Sequence, residues 1–339
     1  MKYSFTIYPN LITAPGERSN PYIRDFIAAI NKREDSTLIN LPNKNPLLDI
    51  LKRRNWGKTF IFNWYESIPD YKYGLLQAMT AIALVSVLKI CGRKIVWVFH
   101  NKHPHIMKWG LLKNAMSAYI ARCSNLIVTH ASEGVNIIKE RYPYAKDKVI
   151  FLHHPTKNRL SEKRASGVHV EYDLLIWGTV SRYKGVLEFV DFMCKNNIND
   201  IRVCIVGACS SPDIAEHLKS LQKDNITYID QRPSFEELCA YSQKSHFIFA
   251  PFASESVLSS GTLMDSLSFG ARVIGPDTGS FNDYSHYKGL NVYTFSTFHD
   301  VVSIVHKYKD TPVSLEAYAN FLERYNWDNF IAQLIKHLP

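Results

Sequence analysis

Along the chain, short β-branched and aromatic runs alternate with stretches whose apolar positions recur at helical spacing. Tyr3–Tyr8 reads as a strand. Asn20 then caps a helix that has Pro21 at its first position and Tyr22, Phe26, Ile27 and Ile30 along one side. Phe60–Trp64 is a further strand, ending in the polar cluster Trp64-Tyr65-Glu66. The longest apolar run, Gly74–Ile90, is interrupted by Gln77, Thr80, Ser86 and Lys89, and it leads through Cys91-Gly-Arg-Lys94 into a strand. A buried helix is expected there rather than a membrane span. Lys94–Phe99 has the continuous β-branched and aromatic character of a central parallel strand and ends at His100. Asn125–Thr129 and Lys148–Leu152 are two more strands.

His153–Glu171 is polar and irregular and reads as a linker. The alternation then restarts. Asp173–Trp177 is a strand, and Gly178–Gly185 is a loop opening a helix over Val186–Met193. Arg202–Val206, Ile226–Ile229 and His246–Ala250 are strands, and Ser234 with Glu237 forms a capping box. In the stretch from Glu255 to Gly275, Ser259, Ser260 and Gly261 make a small polar turn that feeds a helix over Thr262–Phe269. Gly270 stops that helix, and a buried strand follows from Arg272. Such a turn offers unpaired N–H groups and the positive end of a helix dipole, which suit a phosphate or diphosphate. Asp265, expected on the first turn of the helix, is placed to accept hydrogen bonds from sugar hydroxyls. The fold expected is α/β, with two Rossmann-like doubly wound domains facing across a cleft. The first spans 1–155, the second 172–320, and residues 321–339 form a C-terminal helix crossing back to the first.

Composition sharpens this picture in three places. Hydrophobic residues make up 46% of the 339, enough for two cores. The six cysteines show no C-x-x-C pair, so reduced core residues of a cytoplasmic protein are expected, and the strand-like start does not resemble a signal peptide. Charge is uneven. Residues 1–160 carry 24 Lys and Arg against 10 Asp and Glu, and residues 161–339 carry 16 against 21. A basic first half points to an anionic partner. The bases are not interleaved with aromatics and no nucleic-acid motif occurs, so an anionic membrane surface ranks above nucleic acid. The sequence lacks a G-x-G-x-x-G after the first strand, a phosphate loop ending in G-K-[ST], an H-E-x-x-H and a G-x-S-x-G elbow. The histidines of His100–His105 and His153–His154 could suggest a metal, but the former cluster lacks ligand spacing on a defined helix, and no metal is expected.

Several pieces resemble GT-B glycosyltransferases, most closely glycosyltransferase family 4 enzymes of bacterial surface polysaccharide synthesis. They are Asn63-Trp-Tyr-Glu66, Val96-Trp-Val-Phe-His-Asn101 with Pro104-His105, and Val128-Thr-His-Ala-Ser-Glu-Gly134. They continue with Gly178 through Tyr183-Lys-Gly185, Ser259–Gly275, Pro276-Asp-Thr-Gly279 and the segment holding Trp327. The resemblance implies a nucleotide-diphosphate sugar as co-substrate on the second domain, an acceptor on the first, and no other cofactor. Lys184 and Arg182 would contact the diphosphate through charge-assisted hydrogen bonds and stabilise the leaving group without a metal. Gly178 and the N–H groups at Ser259, Ser260, Gly261 and Thr262 would complete that site, and Asp265 would hold the ribose. His100 would face the donor sugar, and Arg232 with Pro233 would border the base pocket.

The sequence also departs from the family pattern. Of two glutamates that the family spaces by seven, the second is Asp265 and the first falls on Val257, leaving Glu255 as a substitute. Thr179 stands where an arginine is common. If the reaction inverts, Glu66, Glu17 or His100 would be the general base. If it retains, the diphosphate itself would help to deprotonate the acceptor. The expectation is a cytoplasmic enzyme, peripheral to the inner membrane face, that adds a sugar to a glycan or lipid-linked acceptor. The alternatives are a sugar-nucleotide epimerase of the same fold and a non-catalytic sugar-nucleotide-binding subunit.

Overall fold

The computed structural model describes residues 2–12, 20–102, 108–161, 168–253 and 257–339, with the side chain of Tyr183 excepted. Glu17, Pro104, His105 and Glu255 therefore lie outside the described residues. The chain divides into two units, Met1–His153 with Trp327–Pro339, and His154–Asn326.

The first unit is built from β1 (Tyr3–Tyr8), α1 (Pro21–Lys32), β2 (Ser36–Leu38), α2 (Pro46–Ile50), β3 (Thr59–Asn63) and α3 (Gly74–Ile90). It continues with β4 (Lys94–Phe99), α4 (Gly110–Cys123), β5 (Leu126–Thr129), α5 (Ser132–Arg141) and β6 (Val149–Phe151). Its sheet runs β2-β1-β3-β4-β5-β6 and every pairing is parallel. The continuous apolar runs of β3 and β4 follow from burial on both faces. Alternation sends Val96 and Val98 towards Tyr22 and Phe26 of α1, and Trp97 to the opposite face.

The second unit contains β7 (Tyr172–Trp177), α6 (Val186–Lys195), β8 (Val203–Val206), α7 (Pro212–Ser220), β9 (Ile226–Ile229), α8 (Phe235–Gln243) and β10 (Ser245–Phe249). After these come α9 (Gly261–Ser268), β11 (Arg272–Pro276), α10 (Gly279–Ser285), β12 (Val292–Phe295), α11 (Phe298–Tyr308) and α12 (Leu315–Arg324). Its sheet is also parallel, ordered β12-β11-β10-β7-β8-β9. The final helix, α13 (Trp327–Lys336), belongs to the first unit, where Trp327 and Phe330 join Tyr22 and Phe26.

Three expectations change. Residues 74–90 do form one helix, but it is not buried. Ala78, Ala81, Leu84, Val85 and Leu88 face the protein, while Leu76, Met79, Val87 and Ile90 are exposed. A crossover helix can bury only the stripe that meets the sheet and its neighbours. Asp265 sits on the second turn of α9, because that helix starts at Gly261. None of the cysteines forms a disulfide, but Cys91 is exposed and only Cys123, Cys204 and Cys239 are buried.

Candidate functional site

In an open parallel sheet, loops at the carboxyl edge converge where the winding reverses, and ligands bind there. In the second unit this point lies between β7 and β10, where chain order runs to β8 and β9 on one side and to β11 and β12 on the other. The loop after β7 starts at Gly178, whose φ of +96° an L side chain rarely adopts. A Cβ there would stand 3.6 Å from the Lys184 ammonium. Lys184 occupies a short 3-10 turn, Arg182–Lys184, which ends at Gly185. A Cβ on Gly185 would meet the Pro251 carbonyl oxygen at 1.9 Å, so the loops after β7 and β10 touch through their backbones.

Lys184 is half-buried, with its ammonium 5.9 Å from the centre of the Phe252 ring. Among the described residues no carboxylate forms an ion pair with it, and burial lowers its pKa below the ordinary lysine value. Arg182 points elsewhere and is paired on the surface with Asp213 at the start of α7. A hollow of about 500 Å³ opens beside this turn, lined by Arg182, Gly185, Phe252, Pro276, Phe295 and Thr297. Another, of about 350 Å³, lies at the amino edge of the sheet near Ser245 and Arg272, away from these loops.

The loop after β10 leads into α9. Ser260 is its N-cap, and its hydroxyl accepts from the Leu263 N–H at 3.2 Å. Gly261 and Thr262 follow, and their N–H groups have no partner within the helix. The Trp177 indole, at the end of β7, donates to Ser266 on α9 at 3.4 Å, which ties the helix to the Lys184 strand. Asp265 accepts from Thr156 and from Arg159, each at 3.3 Å. Arg159 also donates to Ser268 at 3.0 Å and lies 4.1 Å from the Phe235 ring centre. Thr156 and Arg159, from the stretch read as linker, are thus buried parts of this unit. Arg232 is exposed after the edge strand β9, with β8 between it and β7. The fold therefore does not place it with Lys184.

In the first unit, three adjacent strand ends bring polar side chains together. His100 follows β4, Asn63 closes β3, and His130 follows β5. The His100 Nε2–H donates to the Asn63 Oδ1 at 3.0 Å, and the Asn63 amide donates to the Tyr8 carbonyl at 3.2 Å. In the neutral ring this leaves Nδ1 as the basic nitrogen. Trp64, in a left-handed conformation at φ 49°, stacks on His100 at 4.5 Å. The His130 Nδ1–H donates to the Leu152 carbonyl at 2.8 Å, so its Nε2 accepts from the Tyr22 hydroxyl, also at 2.8 Å. Sequence reasoning missed Tyr22 and His130 as partners because they are 108 positions apart. The signal available was a histidine at a second, neighbouring strand end.

Glu66 does not join this cluster. It lies on a 3-10 turn, Tyr65–Asp70, beside Trp97, and so on the face of the sheet opposite His100. Its carboxyl oxygens are inaccessible and, among the described residues, close no hydrogen bond of normal geometry. Burial pushes its carboxyl up to about 7, opposed by its own backbone N–H, the Trp97 indole and Lys113. Lys113, fully buried, pairs with Asp70 at 2.6 Å.

Comparison with solved structures identifies the architecture. The chain is similar to Anabaena Alr3699/HepE, solved in complex with UDP, at 11% identity and a TM-score of 0.71 over 100% of this chain and 99% of that one. It is similar to AviGT4, a glycosyltransferase involved in avilamycin A biosynthesis, at 14% identity and a TM-score of 0.59 over 99% and 97%. The catalytic domain of starch synthase IV from Arabidopsis thaliana, bound to ADP and acarbose, aligns at 12% identity and a TM-score of 0.57 over 87% and 75%. The chain has the GT-B fold. No family model matches the chain, and no curated protein matches it in sequence.

Proposed function

We propose that this protein is a glycosyltransferase that moves a sugar from a nucleotide-diphosphate donor to a glycan acceptor. The observation that carries the reading is Lys184, a half-buried cation at the β7/β10 reversal with no counter-ion among the described residues. A desolvated ammonium beside a glycine-opened space and near a helix N-terminus is a site for an anion. A diphosphate supplies the missing charge, restores the lysine's preference for its protonated form and leaves as an anion stabilised by Lys184 and the first turn of α9. The reaction then needs no divalent metal.

UDP is the first base to test, because HepE was solved with it. The acceptor belongs to the first unit, where His100, with its tautomer fixed by Asn63, is the candidate group for the acceptor hydroxyl. Departure of the diphosphate breaks the bond from the sugar's anomeric carbon to the phosphate oxygen as the acceptor oxygen bonds to that carbon and loses its proton. A lipid-linked glycan at the inner membrane face, as in surface polysaccharide synthesis by family 4 enzymes, fits the basic first unit.

The test is a thermal-shift panel of nucleotide diphosphates and their sugars on the wild type and on Lys184→Ala. At 100 times its dissociation constant a ligand stabilises the fold by about 2.7 kcal/mol. A shift with UDP that vanishes in the variant supports the reading. No shift with any nucleotide would overturn it.

A further inference from the structure

Two helices of the first unit begin with nearly the same pentapeptide, Lys72-Tyr73-Gly74-Leu75-Leu76 at α3 and Lys108-Trp109-Gly110-Leu111-Leu112 at α4. Their local geometry repeats as well. Tyr73 and Trp109 are the N-caps, and both take a left-handed backbone, at φ 58° and 66°, which bulky residues avoid. Each ring has its preceding lysine against it, at 5.1 Å for Lys72 and 5.7 Å for Lys108. Both rings are open to solvent, at 70% for Tyr73 and 40% for Trp109. The leucines behind them are as exposed, Leu76 at 66% and Leu111 at 91%.

The topology sets the two motifs side by side. β3, β4 and β5 are consecutive parallel neighbours, so right-handed crossovers put α3 and α4 on one face, both starting at the carboxyl edge. The Ser86 and Tyr119 hydroxyls, 2.6 Å apart, join the two helices along their length. From that edge the exposed stripe continues down α3 through Met79, Val87 and Ile90. Beside Leu76 and Tyr73 it meets a groove of about 480 Å³ with Leu11, Leu47 and Lys44 in its walls.

The surrounding charge is mostly basic. Residues 71–132 contain eight Lys and Arg and no Asp or Glu, although Lys113 is buried against Asp70 and Lys102 pairs with Glu133. At the far ends of the helices Lys148 donates to the Arg122 carbonyl, and burial and then the nearby Lys89 disfavour its charge. Among the described residues no helix is long and apolar enough to cross a membrane.

Aromatic rings with lysines reaching past them, leucines below and an excess of basic groups match the interfacial zone of a bilayer. We propose that the paired N-termini of α3 and α4, with the outward stripe of α3, dock this protein on an anionic bilayer surface. Leu76 and Leu111 enter the acyl region, Tyr73 and Trp109 sit at headgroup depth, and the lysines meet lipid phosphates. This rests on, and deepens, the reading that the acceptor is lipid-linked.

The experiment is co-sedimentation with phosphatidylcholine vesicles containing about one-third phosphatidylglycerol, and with pure phosphatidylcholine vesicles. The wild type is expected to bind the anionic vesicles and to lose binding as salt rises. Leu76→Gln and Leu111→Gln together should weaken partitioning by about tenfold or more per leucine. Leu315→Gln, an exposed leucine of the second unit, should change nothing. A wild type that stays in the supernatant, or a double variant that sediments like the wild type, overturns the proposal. A wild type that dimerises in velocity sedimentation through these leucines, without binding vesicles, assigns the face to a second copy and also overturns it. The UDP thermal shift, read without vesicles, separates these failures from failure of the donor site.

Discussion

Both units are six-stranded parallel sheets wound with helices, yet they present different surfaces. Residues 1–153 with 327–339 carry 23 Lys and Arg against 11 Asp and Glu, whereas residues 154–326 carry 17 against 20. Of the sixteen large apolar side chains exposed among the described residues, fifteen lie in the first unit and only Leu315 in the second. The shared winding fixes where loops gather, and the side chains decide what gathers there. Two lysines state the contrast most sharply. Lys113, in the first unit, is fully buried and has its carboxylate. Lys184, in the second, is half-buried without one among the described residues. The first is part of the fold, and the second is the cation we propose for the diphosphate.

The largest expected effect comes from Lys113→Met. It leaves Asp70 without its cation and should cost about 3–5 kcal/mol in urea unfolding. A cost below about 1 kcal/mol would mean that this pair does not hold the first unit together.

Glu66→Gln ranks next and depends on pH. Because the folded carboxyl titrates near 7 and the unfolded one near 4.5, the native state holds the proton more tightly. Stability from this group is complete below the unfolded value and is lost as pH rises to about 7. The variant should therefore be more stable than the wild type by on the order of 3 kcal/mol at pH 8, and the gain should disappear at pH 4. Parallel unfolding curves at both pH values, with no convergence on acidification, would contradict the raised pKa of the buried carboxyl.

Lys184→Ala should lose the roughly 2.7 kcal/mol of nucleotide stabilisation while keeping the unliganded melting midpoint, since no ion pair among the described residues is broken. A large drop in the unliganded protein would make Lys184 a structural lysine like Lys113 and erase the contrast. Smallest is Arg182→Ala, whose exposed pair with Asp213 is worth less than about 1 kcal/mol. Its effect on nucleotide affinity, measured by calorimetry, decides whether the side chain leaves Asp213 to meet a diphosphate.

Much of the fold was legible because each sheet buries both faces. Lys94–Phe99 and Asp173–Trp177 read as strands without a neighbour in view. Ser36–Leu38 and Pro46–Ile50 are too short to show a period and went unread. The exposure of α3 was hidden for the opposite reason. Its few polar residues, Gln77, Thr80, Ser86 and Lys89, are spread around the helix and mark no single outer face. At the candidate sites, Lys184, Gly178 and Ser260 lie on loops whose punctuation shows in the sequence. The Asp265 pair with Arg159 spans 106 positions, and nothing local announces it. Glu66 was misplaced for a related reason: three residues past a strand end it looked available, but the 3-10 turn carries it across to the Trp97 face.

The seating of α13 against Tyr22 and Phe26 has a consequence for the order in which the protein is made. The second unit is one uninterrupted span and can close as soon as Asn326 has left the ribosome. The first unit, though begun at residue 1, stays open along its α1 face until Trp327, Ile331 and Leu334 emerge. During that interval its basic sheet is complete but an apolar flank is bare, so the earliest-synthesised half is the last to be finished.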